Sequence, residues 1–326
     1  MREITYREAI REALREELRR DGSVFLFGED VAEYGGVFRV TDGLLAEFGP
    51  ERIFDTPLSE SAIVGAAVGA SLMGMRPVAE VMFADFTGVA MDAIVNHAAK
   101  MNYMSGGGTS APIVVRMAYG AGPRWGSHHT QSVESWLANV PGLTIVMPAS
   151  PYDAKGLLKA AIRTPNPVIF LEHKLLYGKK GEVPEEEYLV PLGKADIKRP
   201  GDGVTIVAWG LMVDRALGAA RSLAGDGISA EVIDLRSLQP LDEDAILASV
   251  EKTGRLVIVH EAPVRGGVGG EVAAVVSSKA LGYLDAPIQR VGAPWTPVPF
   301  GQILVDAYVP AETDILRAVH ATLGAG

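Results

Sequence analysis

Val24-Phe25-Leu26-Phe27-Gly28-Glu29-Asp30 is the stretch on which the fold turns. Four large apolar residues in a row leave no polar face, as in a parallel strand covered on both sides, and the run stops at a glycine and two acids. Ahead of it, Thr5 and Glu8 form a capping-box pattern. Ala9, Ile10, Ala13, Leu14 and Leu18 then mark one face of a helix that ends at Asp21-Gly22. Behind it a second unit follows, with a strand at Ile53-Phe54, Ser59-Glu60, and a helix from Ala62 to Met73. The next strand, Val78 to Phe83, ends at Ala84-Asp85-Phe86. Further strands read at 113–116, 143–147 and 168–172, and Ser150 caps a helix over 152–163.

From Gly178 to Gly203 the texture becomes charged, with Gly and Pro but little periodicity, and a domain boundary is expected there. A second alternating set then begins. Its strands read at 204–208, 230–233, 256–259 and 288–291, and its helices at 214–223, 243–250, 270–281 and 312–323. The expected organisation is a domain over 1–188, a linker over 189–203 and a domain over 204–326. The fold class is α/β, with two doubly wound domains. Ligands of such sheets collect beyond the carboxyl ends of the strands. That singles out Gly28-Glu29-Asp30, Ser59-Glu60, Asp85-Phe86 and the loop from Met117 to Ser132.

Composition narrows the chemistry. The chain has 326 residues, room for two domains, and no cysteine, which excludes disulfides, thiolate metal sites and a cysteine nucleophile. With 30 Lys+Arg against 40 Asp+Glu the net charge is −10, which argues against nucleic acid or an anionic membrane surface as the main partner. Met1 to Arg20 lacks the apolar core of a signal peptide, and a soluble, cytoplasmic protein is expected. The six histidines show no metal-ligand spacing. Gly266 to Gly270 reads as a backbone turn, because the third glycine of a dinucleotide motif is missing.

Two features could carry chemistry. Glu60 lies between the turn at Thr56–Ser59 and a helix of small residues, where a carboxylate is partly desolvated. The same position also suits an ordinary first-turn acid favoured by the helix dipole, and the residues alone leave both readings open. His128-His129 ends a glycine-rich loop, where an imidazole could exchange protons or simply face solvent.

Taken together the chain resembles the β chain of the thiamine-diphosphate-dependent component of 2-oxo acid dehydrogenase complexes, in the transketolase-like superfamily. The resemblance runs through Phe27-Gly28-Glu29-Asp30-Val31, Gly35-Gly36-Val37-Phe38, Asp55-Thr56-Pro57-Leu58-Ser59-Glu60 and Phe83-Ala84-Asp85-Phe86. It continues through His129-Thr130-Gln131-Ser132, Glu231 to Arg236 and His260-Glu261-Ala262-Pro263. It implies a thiamine-diphosphate pyrimidine-binding domain followed by a transketolase C-terminal-like domain. It also implies an α subunit that supplies the diphosphate and Mg²⁺ ligands in an assembly of two α and two β chains. Gly201-Asp202-Gly203 is then a turn and not a Mg²⁺ motif, since no Asn follows it.

By position, the resemblance implies that Glu60 hydrogen-bonds N1′ of the aminopyrimidine, favouring the imino tautomer that takes the C2 proton. Phe86 packs on the pyrimidine, Leu58 and Met82 line its pocket, and Glu29 belongs to an acidic path beside it. His129 orients substrate or the lipoyl arm. Ile113, Ala161, Ile162, Thr164 and Asn166 match positions that bind a structural K⁺ in some relatives. The implied activity is oxidative decarboxylation of pyruvate or a branched-chain 2-oxo acid. The acyl group passes to dihydrolipoyl acyltransferase, whose lipoyl and subunit-binding domains are the further partners. An acetoin dehydrogenase β subunit and a non-catalytic structural subunit are the alternatives.

Overall fold

A computed structural model of the protein describes residues 1–324 of the 326. The chain divides into two compact units, residues 1–119 with 136–192, and residues 120–135 with 193–326.

In the first unit β1 (Arg2–Thr5) leads into α1 (Tyr6–Arg20), where the Thr5–Glu8 capping box is formed. β2 (Val24–Gly28), α2 (Leu44–Phe48), β3 (Ile53–Asp55), α3 (Glu60–Leu72) and β4 (Arg76–Phe83) follow. After a single 3₁₀ turn at Ala84–Phe86 the chain forms α4 (Thr87–Asp92), a π-helical turn at Ala93–Ala98 and α5 (Met101–Met104). β5 (Val114–Tyr119) ends the first part of this unit, and α6 (Glu134–Ala138) carries the chain back into it. β6 (Thr144–Val146), α7 (Pro151–Arg163), β7 (Val168–His173) and β8 (Lys180–Val183) complete it. The strand order is β6-β7-β5-β4-β2-β3, every pair parallel, while β1 and β8 pair separately and antiparallel. All five residues of β2 are buried, as its apolar run requires of a central parallel strand.

The second unit contains β9 (Asp196–Arg199), β10 (Val204–Ala208), α8 (Leu211–Gly225), β11 (Ala230–Asp234), β12 (Ser237–Gln239), α9 (Glu243–Thr253), β13 (Leu256–Pro263), α10 (Gly269–Lys279), β14 (Gln289–Ala293), α11 (Gln302–Tyr308) and α12 (Glu312–Thr322). Its sheet has the order β14-β13-β10-β11-β9, parallel except for β9 at the edge.

Two departures from the expected organisation concern the boundary. The stretch 189–203 holds β9, because Asp196, Ile197 and Arg199 find backbone partners along the edge of β11. The glycine-rich loop 120–135 belongs to the second unit, although the chain on both sides of it belongs to the first. The Gly201–Gly203 turn packs on the backbone of the segment leading into β11, where a Cβ at Gly201 would stand 2.4 Å from Ala230 C.

Candidate functional site

Three adjacent parallel strands of the first unit end side by side, with Gly28 paired to both Asp55 and Glu80. Glu29 leaves the end of β2, Glu60 opens α3 after β3, and Phe86 closes the 3₁₀ turn after β4. Gly28 is required here, since a Cβ would stand 2.5 Å from the Glu80 carbonyl oxygen. The loop after Glu29 is tied down by Asp55, which accepts from Ala32 N–H at 2.7 Å and Glu33 N–H at 3.3 Å. Below it Arg116 donates to Glu80 at 2.7 Å and to both oxygens of Glu172 at 2.7 and 2.8 Å, a buried pairing that stiffens β4, β5 and β7.

The carboxylates differ in their surroundings. Glu29 is 5 % exposed and neither of its oxygens has a hydrogen-bond partner within the chain. Burial, and then the nearby charges of Glu60 and Asp30, push its carboxyl above the usual carboxylate range. Glu60 is likewise buried, and the buried Thr56 hydroxyl also lacks a partner. Phe86 is half-buried, edge-on to Phe83 with ring centres 5.9 Å apart, and Met82 is half-buried on β4. Leu58 is 82 % exposed. Buried polar atoms left without partners require an external one, so this corner can accept a ligand with its own donors and acceptors. Behind the start of α3 lies an apolar cavity of about 440 Å³ lined by Phe25, Phe27, Phe54, Pro57, Ile63 and Ala66.

His129 lies in the second unit, on the loop that begins at Gly120. Thr130 Oγ1 donates to the Gly126 carbonyl at 2.6 Å, which folds the loop under His129, while His128 is exposed. The loop's base meets Glu261, which accepts from Ala121 N–H at 2.7 Å and from Ser132 Oγ at 3.0 Å. The glycines at 267 and 269 serve neighbouring packing, because a Cβ at either would stand within 2.7 Å of the His260 ring. Among the described residues no group of three His, Asp or Glu is placed to hold a metal ion, and no helix is long and apolar enough to cross a membrane.

Residues 2–180 match the family model described as transketolase, pyrimidine binding domain, and residues 193–315 match transketolase, C-terminal domain. The chain is 52% identical to 2-oxoisovalerate dehydrogenase subunit beta of Bacillus subtilis, over 99% of each chain. It is 50% identical to the acetoin:2,6-dichlorophenolindophenol oxidoreductase subunit beta of Cupriavidus necator, over 100% of this chain and 99% of the other. It is 48% identical to the pyruvate dehydrogenase E1 component subunit beta of Bacillus subtilis, again over 99% of each. The chain belongs to this family of dehydrogenase β subunits. A solved structure described as a split-gene transketolase, an inactive β4 tetramer, superposes with a TM-score of 0.81 at 28% identity, covering 98% of both chains.

Within this β subunit the expected cation ligands gather where α7 ends. Arg76 donates to the carbonyls of Ile162 and Thr164 at 2.8 and 3.1 Å, and the Ile113 carbonyl accepts from Val168 N–H at 2.9 Å. Ala161 is buried on α7 and Asn166 is exposed beyond it. Sequence reading of the β subunit passed over Arg76 and Glu134. Arg76 finds its carbonyls 86 and 88 residues downstream, and Glu134 meets Trp209 75 residues downstream, so neither had a local signal.

Proposed function

We propose that this chain, with an α subunit, decarboxylates a 2-oxo acid of the pyruvate or branched-chain type and passes the acyl group to a lipoyl carrier. The observation that carries the reading is the buried corner beyond β2 and β3, where Glu29 feels the charge of Glu60 and both Glu29 oxygens lack partners. An aminopyrimidine has the ring nitrogen and amino group that such a corner lacks. The chemistry that thiamine diphosphate supplies when bound is a nucleophilic carbon and an electron sink for the 2-oxo group. Glu60 would hold a proton at the ring nitrogen N1′, and Glu29 would relay or store one beside it. Phe86 and Met82 would pack against the ring and keep water from the carboxyls, with Leu58 at the rim. His129 would orient the incoming acceptor and exchange a proton with it. Mg²⁺ would be held by the α subunit. A K⁺ at Ile113, Ala161, Ile162, Thr164 and Asn166 would share two carbonyls with Arg76 through their second lone pairs.

The test is reconstitution with the α subunit, thiamine diphosphate and Mg²⁺, assayed on pyruvate, branched-chain 2-oxo acids and acetoin. Acetoin is included because relatives acting with it match as fully as the 2-oxo acid enzymes. Glu60→Gln is expected to lower kcat by roughly 10²–10⁴-fold, the usual share of a positioned acid or base. Wild-type turnover in that variant would remove Glu60 from the mechanism. Cleavage of acetoin alone would replace the 2-oxo acid reading with the acetoin one.

A further inference from the structure

The loop that carries His129 is closed at its base by one side chain of the second unit. Glu261 lies at the end of β13 and is 5 % exposed, and a single oxygen, Oε1, accepts from Ala121 and from Ser132. Gly120 N–H adds a backbone bond to the Gln131 carbonyl at 3.2 Å, and Ser127 Oγ donates to the Val298 carbonyl at 2.6 Å. Ala121 packs with Ala293, Val298 and Tyr308, so the loop's foot is apolar as well as hydrogen-bonded. At the far end of the loop a second carboxyl, Glu134, is fully buried. Its Oε1 accepts from Trp209 Nε1 at 3.3 Å and its Oε2 has no partner. Trp209 stacks on His260 with ring centres 5.2 Å apart.

We propose that Glu261 is a positioning residue that latches the His129 loop, and that the neighbouring Glu134 must be protonated for the latch to hold. The first part stands on the geometry, two ends of one loop on one carboxylate oxygen. The second follows from the packing: Ser132, two residues before Glu134, bonds Glu261, and Trp209, which bonds Glu134, stacks on His260 next to Glu261. Two buried carboxyls thus share one region and cannot both be charged without mutual repulsion. Trp209, ahead of α8, bonds Glu134, and the charges that act in the same region are those of Glu261 from β13 and Tyr308 from α11; His260 lies behind Trp209. Burial, with the charge of Glu261 adding to it, pushes Glu134 up to about 7. Burial, then the charges of Glu261 and Glu134, push Tyr308 up to about 12. Burial pushes His260 down to about 4, partly opposed by its bond to the Ala262 carbonyl, so both stay neutral near pH 7. Ionisation of Glu134 above about pH 7 therefore sets a second negative charge against Glu261 and loosens the loop.

The role given to the loop rests on the reading of His129 above, but the latch can be tested without turnover. Arg124 is exposed in the loop, at φ +57°, and offers a tryptic site between Arg124 and Trp125. In the full-length chain, cleavage there is expected to rise about tenfold or more in Glu261→Ala, for the loss of two charge-assisted hydrogen bonds. Glu261→Gln keeps an acceptor oxygen and is expected to stay near wild type. Relative to trypsin's rate on an unstructured arginyl peptide at the same pH, wild-type cleavage should accelerate as pH rises through about 7, and Glu134→Gln should abolish that relative rise. If Glu261→Ala fails to fold, Ser132→Ala removes one of the two bonds and should give a smaller increase. Unchanged cleavage at Arg124 in Glu261→Ala, or in Ser132→Ala where Glu261→Ala does not fold, would overturn the latch. A relative pH response that persists in Glu134→Gln would overturn its protonation requirement. A latch that holds while Glu60→Gln remains fully active would leave this inference standing and remove the catalytic reading.

Discussion

Glu29 has no hydrogen-bond partner inside the chain, and its cost can be measured. A carboxyl whose pKa is raised by folding binds its proton more tightly folded than unfolded, so stability falls as pH climbs from the ordinary carboxylate value through the raised one. Glu29→Gln is therefore expected to raise the melting temperature of the free chain by a few degrees at pH 7.5 and to change it little near pH 4. The same variant should lower turnover of the reconstituted enzyme. Equal melting curves at pH 7.5 would mean that the free chain already satisfies Glu29. At this scale the sequence pointed to Glu29 and Glu60 because both follow strand ends. It offered no sign of Glu134 or Arg76, whose partners lie far along the chain.

α1 and α7 pack through an unusual ladder of charge. Lys155 and Lys159 are buried on α7. Lys155 reaches Glu16 at 2.6 Å and Glu12 at 3.3 Å, Lys159 reaches Glu16 at 2.5 Å, and Arg163 reaches Glu17 at 2.6 Å. A buried ammonium is tolerated only while its carboxylates face it, so removing one partner strands the other. Lys155→Ala should destabilise the chain by about 3 kcal/mol, whereas Lys155→Met, which keeps the volume, should cost less. Chemical denaturation of both variants would check the order, and an equal loss in each would mean that the lost charge and not packing sets the cost. The elements themselves were legible where periodicity was strong, as in α1 with its capping box and β2 with its unbroken apolar run. β9 was not, because an edge strand of Asp, Ile, Lys and Arg carries no apolar run. α11 was not either, since it follows a stretch rich in Pro and leaves Ile303 and Leu304 exposed.

For the whole molecule, if the proposed function holds, the net charge of −10 would complement a basic docking domain on the acyl-accepting partner. Association with such a domain should weaken as salt rises from about 50 to about 500 mM, read by titration calorimetry, and salt-insensitive docking would dismiss the charge as the attraction. The free chain is expected to show no turnover without its α subunit, and turnover alone would contradict a shared site. The two-domain plan was legible from the change of texture near residue 190. The crossing of loop 120–135 into the second unit was not, because Ser132 meets Glu261 across 129 residues. That distance also orders events during synthesis. At about 5–20 residues per second the ribosome needs roughly 6–26 s to make the intervening chain. Through that interval the nascent first domain carries Arg124 and Trp125 on a loop whose clasp has not yet been translated, which makes this segment the natural place for a chaperone or a protease to act first.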